Sequence, residues 1–342
     1  MGDFVCFIES FKYLLGWIIH PKWCRIMKKT TTYILAIVFI VALAVSVYAY
    51  IAYQGETNEF QGGDLVDNLG YSLTLTSPPE RIVSLAPSNT EILFAVGAGD
   101  KVVGVTNVCD YPYNFAVWVE AGNMSSIGTY WQPAVEPIIA LNPDLVFAST
   151  ASEEAAEILR DLGYNVLVVE PKTINGVLES IDLIGRATGN HIEAGELVTS
   201  LRQRIDTVTT LSSEVTSVPK VYHEVWGPEI QSAGPGTFID ELITLAGGEN
   251  IFHDAITSFP ISSFETVIAK NPDVIIFPHM YMGTVSWGTY ADIAGRPAWS
   301  TISAIQNGDF YTIDASIISR SGPRLADALE EIAEMVHPEI FG

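Results

Sequence analysis

Aromatic and polar side chains gather where short apolar runs of this chain end, and that placement bounds the chemistry available to it. The runs at 82–86 and 102–106 lead into Pro87-Ser88-Asn89-Thr90 and into a long loop holding Tyr111, Tyr113, Trp118, Tyr130 and Trp131. Runs at 221–225 and 274–277 lead into Trp226 and into Pro278-His279-Met280-Tyr281, and a later segment ends at Arg320. In open parallel sheets a ligand sits beyond the carboxyl ends of the strands. The candidate contacts are therefore Ser88, Asn89, Tyr111, Tyr130, Trp131, Trp226, His279, Tyr281 and Arg320. Rings, an imidazole and a guanidinium in one cleft suit a large, flat, partly polar molecule. Plainer roles compete at several of these places. Ser88 suits a helix cap, Trp118, Trp287 and Trp299 suit packing, His223 suits a strand interior, and Arg324 suits the start of the last helix.

Bond-making machinery is missing from the sequence. There is no G-x-S-x-G elbow, no Walker A loop, no G-x-G-x-x-G after the first strand and no H-E-x-x-H. His20, His191, His223, His253, His279 and His337 show no ligand spacing, and only His223, His253 and His279 could converge. No cofactor and no metal site is assigned on this basis. An extracellular α/β enzyme using the same cleft stays as the competing class.

The elements that must position these residues alternate. Strands are expected at 82–86, 102–106, 144–148 and 166–169, with helices at 90–96, 133–140 and 153–162 between them. A second series follows: strands at 221–225, 274–277 and 310–313, helices at 238–245, 263–270 and 323–336. The pattern predicts an α/β fold of two Rossmann-like lobes with mostly parallel sheets. Between the series, Leu197, Leu201, Ile205, Val208 and Leu211 recur at helical spacing, so 191–213 reads as one long, rigid helix joining the lobes. The expected organisation is an N-lobe at 80–190, this linking helix, and a C-lobe at 214–342.

An internal repeat supports the pairing of lobes. Glu136-Pro-Ile-Ile-Ala-Leu-Asn-Pro-Asp-Leu-Val-Phe returns 129 residues later as Glu265-Thr-Val-Ile-Ala-Lys-Asn-Pro-Asp-Val-Ile-Ile, with six of twelve positions identical. A helix, a turn that stops it and a buried strand make one unit. A looser echo relates the stretch beginning at Glu91 to that beginning at Glu241.

Charge and hydropathy place the chain. Of 342 residues, 48% are apolar and 17% charged, which excludes a disordered chain, and the net charge of −23 excludes nucleic acid as a partner. Residues 54–342 hold 12 basic and 38 acidic side chains, a balance of −26. Residues 1–29 form a basic leader, with Met27 opening a conventional start that leaves 1–26 as a possible upstream extension. Residues 30–53 carry no charge, and the 21 from Tyr33 to Tyr53 would measure about 31 Å as a helix, enough to cross a bilayer once. The basic flank precedes this run, so the large acidic domain is expected outside, held by an uncleaved anchor or released by a cleaved signal. No cysteine ends the run, which argues against lipid attachment there. Residues 54–79 read as a tether followed by a short hairpin or edge strand. Cys6 and Cys24 lie across the membrane from Cys109, so the outer domain has no internal disulfide and Cys109 reads as a buried small hydrophobe.

Several stretches carry a family resemblance. Arg81-Ile-Val-Ser-Leu-Ala-Pro-Ser-Asn-Thr-Glu-Ile-Leu-Phe-Ala-Val-Gly-Ala-Gly-Asp, Val103-Gly-Val-Thr, Cys109-Asp-Tyr-Pro, Ala246-Gly-Gly-Glu-Asn-Ile, Ser263-Phe-Glu265 and Arg320-Ser-Gly-Pro-Arg324 resemble the solute receptors of ABC importers for cobalamin, ferric siderophores and haem. The match runs in order over about residues 80–342. It implies a class III periplasmic-binding-protein-like fold, a monomeric binding domain on the outer face of the cytoplasmic membrane, a corrinoid or iron-chelate ligand, and an ABC permease with its ATPase subunit as partners. It also implies one exposed glutamate per lobe that docks on permease arginines, and Glu136 and Glu265 stand at those positions. In the cobalamin receptors an aromatic after the second strand and a Trp before the first-lobe Glu sandwich the corrin. Here those places hold Val108, and Tyr130 beside Trp131. A metal or haem receptor using His279 and His223 is the alternative within the same class.

Overall fold

Parallel pairing demands a crossover helix between neighbouring strands, and from Ile82 onward nearly every strand of this chain pairs that way. The computed structural model describes residues 38–47, 60, 62–226, 230–279 and 290–342. Two units divide between Thr57 and Asn58.

In the first unit, residues 38–47 form a helix with Val38, Ile40, Val41 and Val45 exposed. Ser46 turns its hydroxyl back onto the Ala42 carbonyl at 2.8 Å, which hides the polar group of this apolar segment. A membrane-crossing helix was expected over residues 30–53; among the described residues no helix is long and apolar enough to cross a membrane. The rest of that run and the leader 1–29 lie outside the described residues.

The second unit opens with an antiparallel hairpin, β1 (Gly63–Val66) and β2 (Ser72–Leu75). Leu65, Leu73 and Leu75 enter the main core, and the turn carboxylate of Asp67 takes Arg160 at 2.5 Å and the Val168 amide at 2.9 Å. This part of the segment read as a tether thus belongs to the folded body. The first lobe holds β3 (Ile82–Ser84), β4 (Val102–Val105), β5 (Ser125–Ser126), β6 (Leu145–Ala148) and β7 (Val166–Val168), all parallel in the order β5-β4-β3-β6-β7. The second holds β8 (Lys220–Trp226), β9 (Gln231–Ser232), β10 (Glu249–Asn250), β11 (Val274–His279) and β12 (Phe310–Asp314). Its order is β10-β8-β11-β12, parallel throughout, with β9 antiparallel on β8.

Each sheet is covered on both faces. On the inner faces one apolar core runs through both lobes, joining Ile82, Phe147, Val221 and Ile276 to helices Pro87–Ala95, Ile174–Thr188, Phe238–Leu245 and Leu325–Val336. The linking helix, His191–Ser212, buries Leu201, Ile205 and Val208 in the same core. Separate outer cores pack the helices before β6 and β11. The helix Ile174–Thr188 was not foreseen, although Thr173 caps it, Gly189 ends it in the left-handed region, and Ile174, Val177, Leu178, Ile181 and Ile184 face inward. A Cβ on its Gly185 would stand 2.2 Å from that of Ala194, so glycine is what lets the linking helix approach.

Carboxylate hydrogen bonds cross between lobes in both directions. Glu91, on Pro87–Ala95, accepts from Arg320 at 3.0 Å and from Arg324 at 2.7 and 3.0 Å. Glu241, its echo on Phe238–Leu245, accepts from the Ile174 amide at 2.8 Å. Each lobe's first helix therefore sends a carboxylate to the start of the other lobe's last long helix.

Candidate ligand-binding cleft

The strand ends explain where each expected contact falls. After β3 the chain turns at once into the helix Pro87–Ala95, with Ala86 at its N-cap and Pro87 in its first turn. Pro87 pre-sets the helical backbone, so the helix begins before Thr90 and Ser88 lies inside the first turn instead of capping it. Ser88 is half-buried. Asn89 is fully buried and donates to the Ala148 carbonyl at the end of β6 at 2.9 Å. Its Oδ1 has no partner, which leaves an unmatched acceptor inside the first lobe.

Beyond β4, Cys109 is buried against Thr90 and Thr106 at 3.2 and 3.3 Å, and burial pushes its thiol pKa up. Tyr113 stacks on Trp118 with centroids 5.0 Å apart and Phe94 and Phe115 close around them, so that half of the loop's aromatics pack on their own lobe. Tyr111 stays exposed, and the Arg324 guanidinium lies 4.1 Å from its ring centroid. Arg320 holds the same loop through Asp110 at 2.6 Å and the Val108 carbonyl at 3.4 Å. Expected among the ligand contacts, Arg320 is engaged by Glu91 and Asp110, with its side chain 17% exposed.

After β5, a Gly128–Pro133 bridge closes a tight loop with Tyr130 and Trp131 at its tip. Trp131 is 73% exposed and meets Tyr130 edge-on at 4.9 Å. Tyr130 leans toward Ser149 and Glu170, beyond β6 and β7; burial, with the Glu170 charge adding to it, raises its phenol pKa. In the second lobe Trp226 ends β8 with 48% exposure, and His279 ends the neighbouring β11 in register with Asp314. Tyr281 and Trp287 lie outside the described residues. Trp299 is fully buried, as packing predicts.

The histidines do not meet. His223 is in the core with Nδ1 donating to the Ile276 carbonyl at 3.2 Å, His253 pairs with Asp240 at 2.9 Å, and His279 is exposed. Among the described residues no cluster of three His, Cys, Asp or Glu side chains could hold a metal. Grooves of about 540 and 650 Å³ flank the linking helix, the first lined by Asp64, Asn68, Glu179 and Arg186 and the second by Thr199, Asp206 and Thr210.

Glu136 and Glu265 are both exposed in the first turn of equivalent helices, Val135–Ala140 and Phe264–Lys270. Those helices run back along the outer sheet faces, so both first turns lie toward the carboxyl ends of the strands. Hydrogen bonds from its own amide and from Ser263 lower the Glu265 pKa. Sequence reading missed Glu91, Asp110, Ser149 and Glu170; the Glu91–Glu241 echo and the Arg-Ser-Gly-Pro-Arg run were the signals available for the first two.

Residues 82–317 match the family model described as periplasmic binding protein. The chain belongs to this family. Among its relatives, an uncharacterised ABC transporter substrate-binding lipoprotein of Bacillus subtilis is 33% identical over 283 residues, 80% of this chain and 85% of that one. The crystal structure of the periplasmic vitamin B12 binding protein of Vibrio cholerae is 28% identical, with a TM-score of 0.64 over 76% of this chain and 98% of that one. A periplasmic haem-binding protein from Roseiflexus sp. RS-1, in apo form, gives 28% identity and a TM-score of 0.66 over the same shares. This chain has the two-lobed α/β architecture of those neighbours.

Proposed function

We propose that this chain is the extracytoplasmic substrate-binding component of an ABC importer, that it takes a corrinoid or an iron chelate into the cleft, and that it hands the ligand to a permease without chemical change. The observation that supports this reading is the set of rings at strand ends of both lobes, with Tyr111 and Trp131 exposed and Tyr130 half-buried in the first lobe and Trp226 exposed at the end of β8 in the second. Rings so placed bind by stacking and burial. Ser88, His279, Tyr281 and Arg320 complete the proposed lining. Glu136 and Glu265, one on each lobe, are the proposed docking points for basic residues of the permease, which works with its ATPase subunit.

The Bacillus relative is named a lipoprotein, whereas this chain has no cysteine between Cys24 and Cys109. The apolar run 30–53 is therefore the proposed anchor, and the exposed apolar face of helix 38–47 supports it, since such a face needs a lipid environment. Titrating the full chain in detergent with cyanocobalamin, a ferric hydroxamate and haem tests the reading. Micromolar or tighter binding of one of them supports it; no binding of any defeats it. In the metal or haem alternative, only His279 would be accessible from the cleft, because His223 is buried in the core.

A further inference from the structure

Resting on the receptor reading above, we infer that the cleft is built for a neutral or cationic ligand and discriminates against ligands bearing carboxylates. The inference comes from where the cations of the body lie. Of its 12 basic residues, Arg81, Lys101 and Lys220 precede strands, at the amino ends of the sheets. Arg160, Arg186, Arg202 and Arg204 are held on the hairpin and helix side by Asp67, the Asp64 carbonyl, Asn175, and Asp327 with Glu330. Lys270 pairs with Asp254 at 2.8 Å. Arg296 is enclosed by Phe264, Phe277 and Trp299 and bound by Glu224 at 2.6 and 2.8 Å.

Three cations remain on the carboxyl side: Lys172, Arg320 and Arg324. Both arginines are committed to Glu91, which is 1% exposed at its side chain, and Arg320 also to Asp110. Lys172 is a single exposed lysine after the edge strand β7. Against these three stand five carboxylates on the same side: Glu91, Asp110, Glu170, Asp314 and Glu331. Residues 227–229 and 280–289, which lie outside the described residues, hold no Lys or Arg in the sequence. A ligand carboxylate entering here meets no uncommitted guanidinium and an excess of negative charge, reinforced by the −26 balance of residues 54–342. A corrinoid rimmed with amides, or a cationic iron hydroxamate, meets no such penalty.

The test uses paired probes that differ only in charge, bound to the full chain in detergent. One pair is cyanocobalamin and its monocarboxylate, with one side-chain amide hydrolysed. The other is a cationic linear ferric hydroxamate and the same chelate with its amine succinylated. In whichever pair binds, the carboxylate member should bind at least tenfold more weakly at low salt, with the gap narrowing as salt rises. Asp110→Asn, which removes one negative charge and loosens the hold on Arg320, should narrow the gap by severalfold. Equal or tighter binding of the carboxylate member overturns the inference and leaves the receptor reading standing. Binding of neither pair, with haem bound instead, also overturns it, because haem carries two carboxylates. Failure of every probe defeats the receptor reading and this inference with it.

Discussion

Asp144 accepts the Arg81 amide at 2.9 Å, and Asp273 accepts the Lys220 amide at the same distance. Each carboxylate ties the turn after a helix to the first amide of the adjacent strand, and just before each an asparagine takes the left-handed region, Asn142 at φ 47° and Asn271 at φ 46°. The Asn-Pro-Asp element is thus a helix-to-strand connector used twice. That role accounts for the asparagine and aspartate of the repeat but not for the matched glutamates, of which Glu265 takes only local hydrogen bonds from its own amide and Ser263.

Glu136 and Glu265 provide the first prediction. A local helix-dipole role would make their loss cost a few tenths of a kcal/mol to about 1 kcal/mol of stability and nothing more. Replacing both by Ala should instead leave ligand affinity intact and abolish ligand-dependent stimulation of the transporter's ATPase in reconstituted vesicles. Lys at both positions should be worse than Ala. Normal uptake by the double variant would remove the docking assignment.

Trp226 and Tyr130 should carry much of the affinity. Either one replaced by Ala should weaken binding by on the order of 1 to 4 kcal/mol, as truncation of buried aromatic anchors does. Isothermal titration of the folded variants checks this, with Trp131→Ala as the companion because the two rings share a loop tip. Unchanged affinity in all three would put the ligand elsewhere.

His223 gives a pH dependence of known sign. Burial lowers its pKa from 6.5 to about 4, so the fold favours the neutral ring. Its contribution to stability is complete above about pH 6.5 and is lost as pH falls through 4, on the order of 3 kcal/mol in all. Denaturation midpoints of the native chain should therefore drop more steeply between pH 6.5 and 4 than those of His223→Leu. Parallel curves would show that the histidine is not the group responsible.

Gly185 tests how the lobes are joined. An alanine there would meet Ala194 at 2.2 Å between Cβ atoms, and overpacking of this kind costs about 1 to 3 kcal/mol. Urea unfolding should show a loss of that size for Gly185→Ala and recovery of part of it in Gly185→Ala with Ala194→Gly.

The apolar run before the body predicts topology. Protease added outside intact cells should reach the chain from Gln54 onward, and the amino terminus of the mature protein should precede Tyr33 if the anchor is kept. Protection of residues 80–342 until lysis would reverse the orientation.

Much of the frame was legible because burial writes itself into sequence as period and spacing. The strand runs around Val146 and Ile276 and the spacing of Leu201, Ile205 and Val208 needed no tertiary information. Local chemistry shifted some boundaries: Pro87 starts its helix three residues before Thr90. What stayed hidden depended on partners distant in sequence. Nothing near Arg320 announces that its charge belongs to Glu91, 229 residues earlier, and the tie of Asp67 to Val168 spans 101. Tyr113 and Trp118 have the same composition signal as Tyr130 and Trp131, and only the fold shows that the first two stack on each other beside Phe94 and Phe115 while Trp131 stands exposed at a loop tip.

Because the chain passes between lobes once, through His191–Ser212, the first lobe is completely synthesised before any of the second has been made. Yet its buried Glu91 has no cation until Arg320 and Arg324 have followed, 229 and 233 residues later. A nascent first lobe therefore carries an uncompensated internal charge, of the kind whose isolation costs several kcal/mol. Truncation just before Arg320 removes no strand of either sheet, and it should nonetheless leave the amino-terminal half the weaker of the two, with proteolysis beginning around the Pro87–Ala95 helix. Two arginines of the second lobe are what make the first lobe whole.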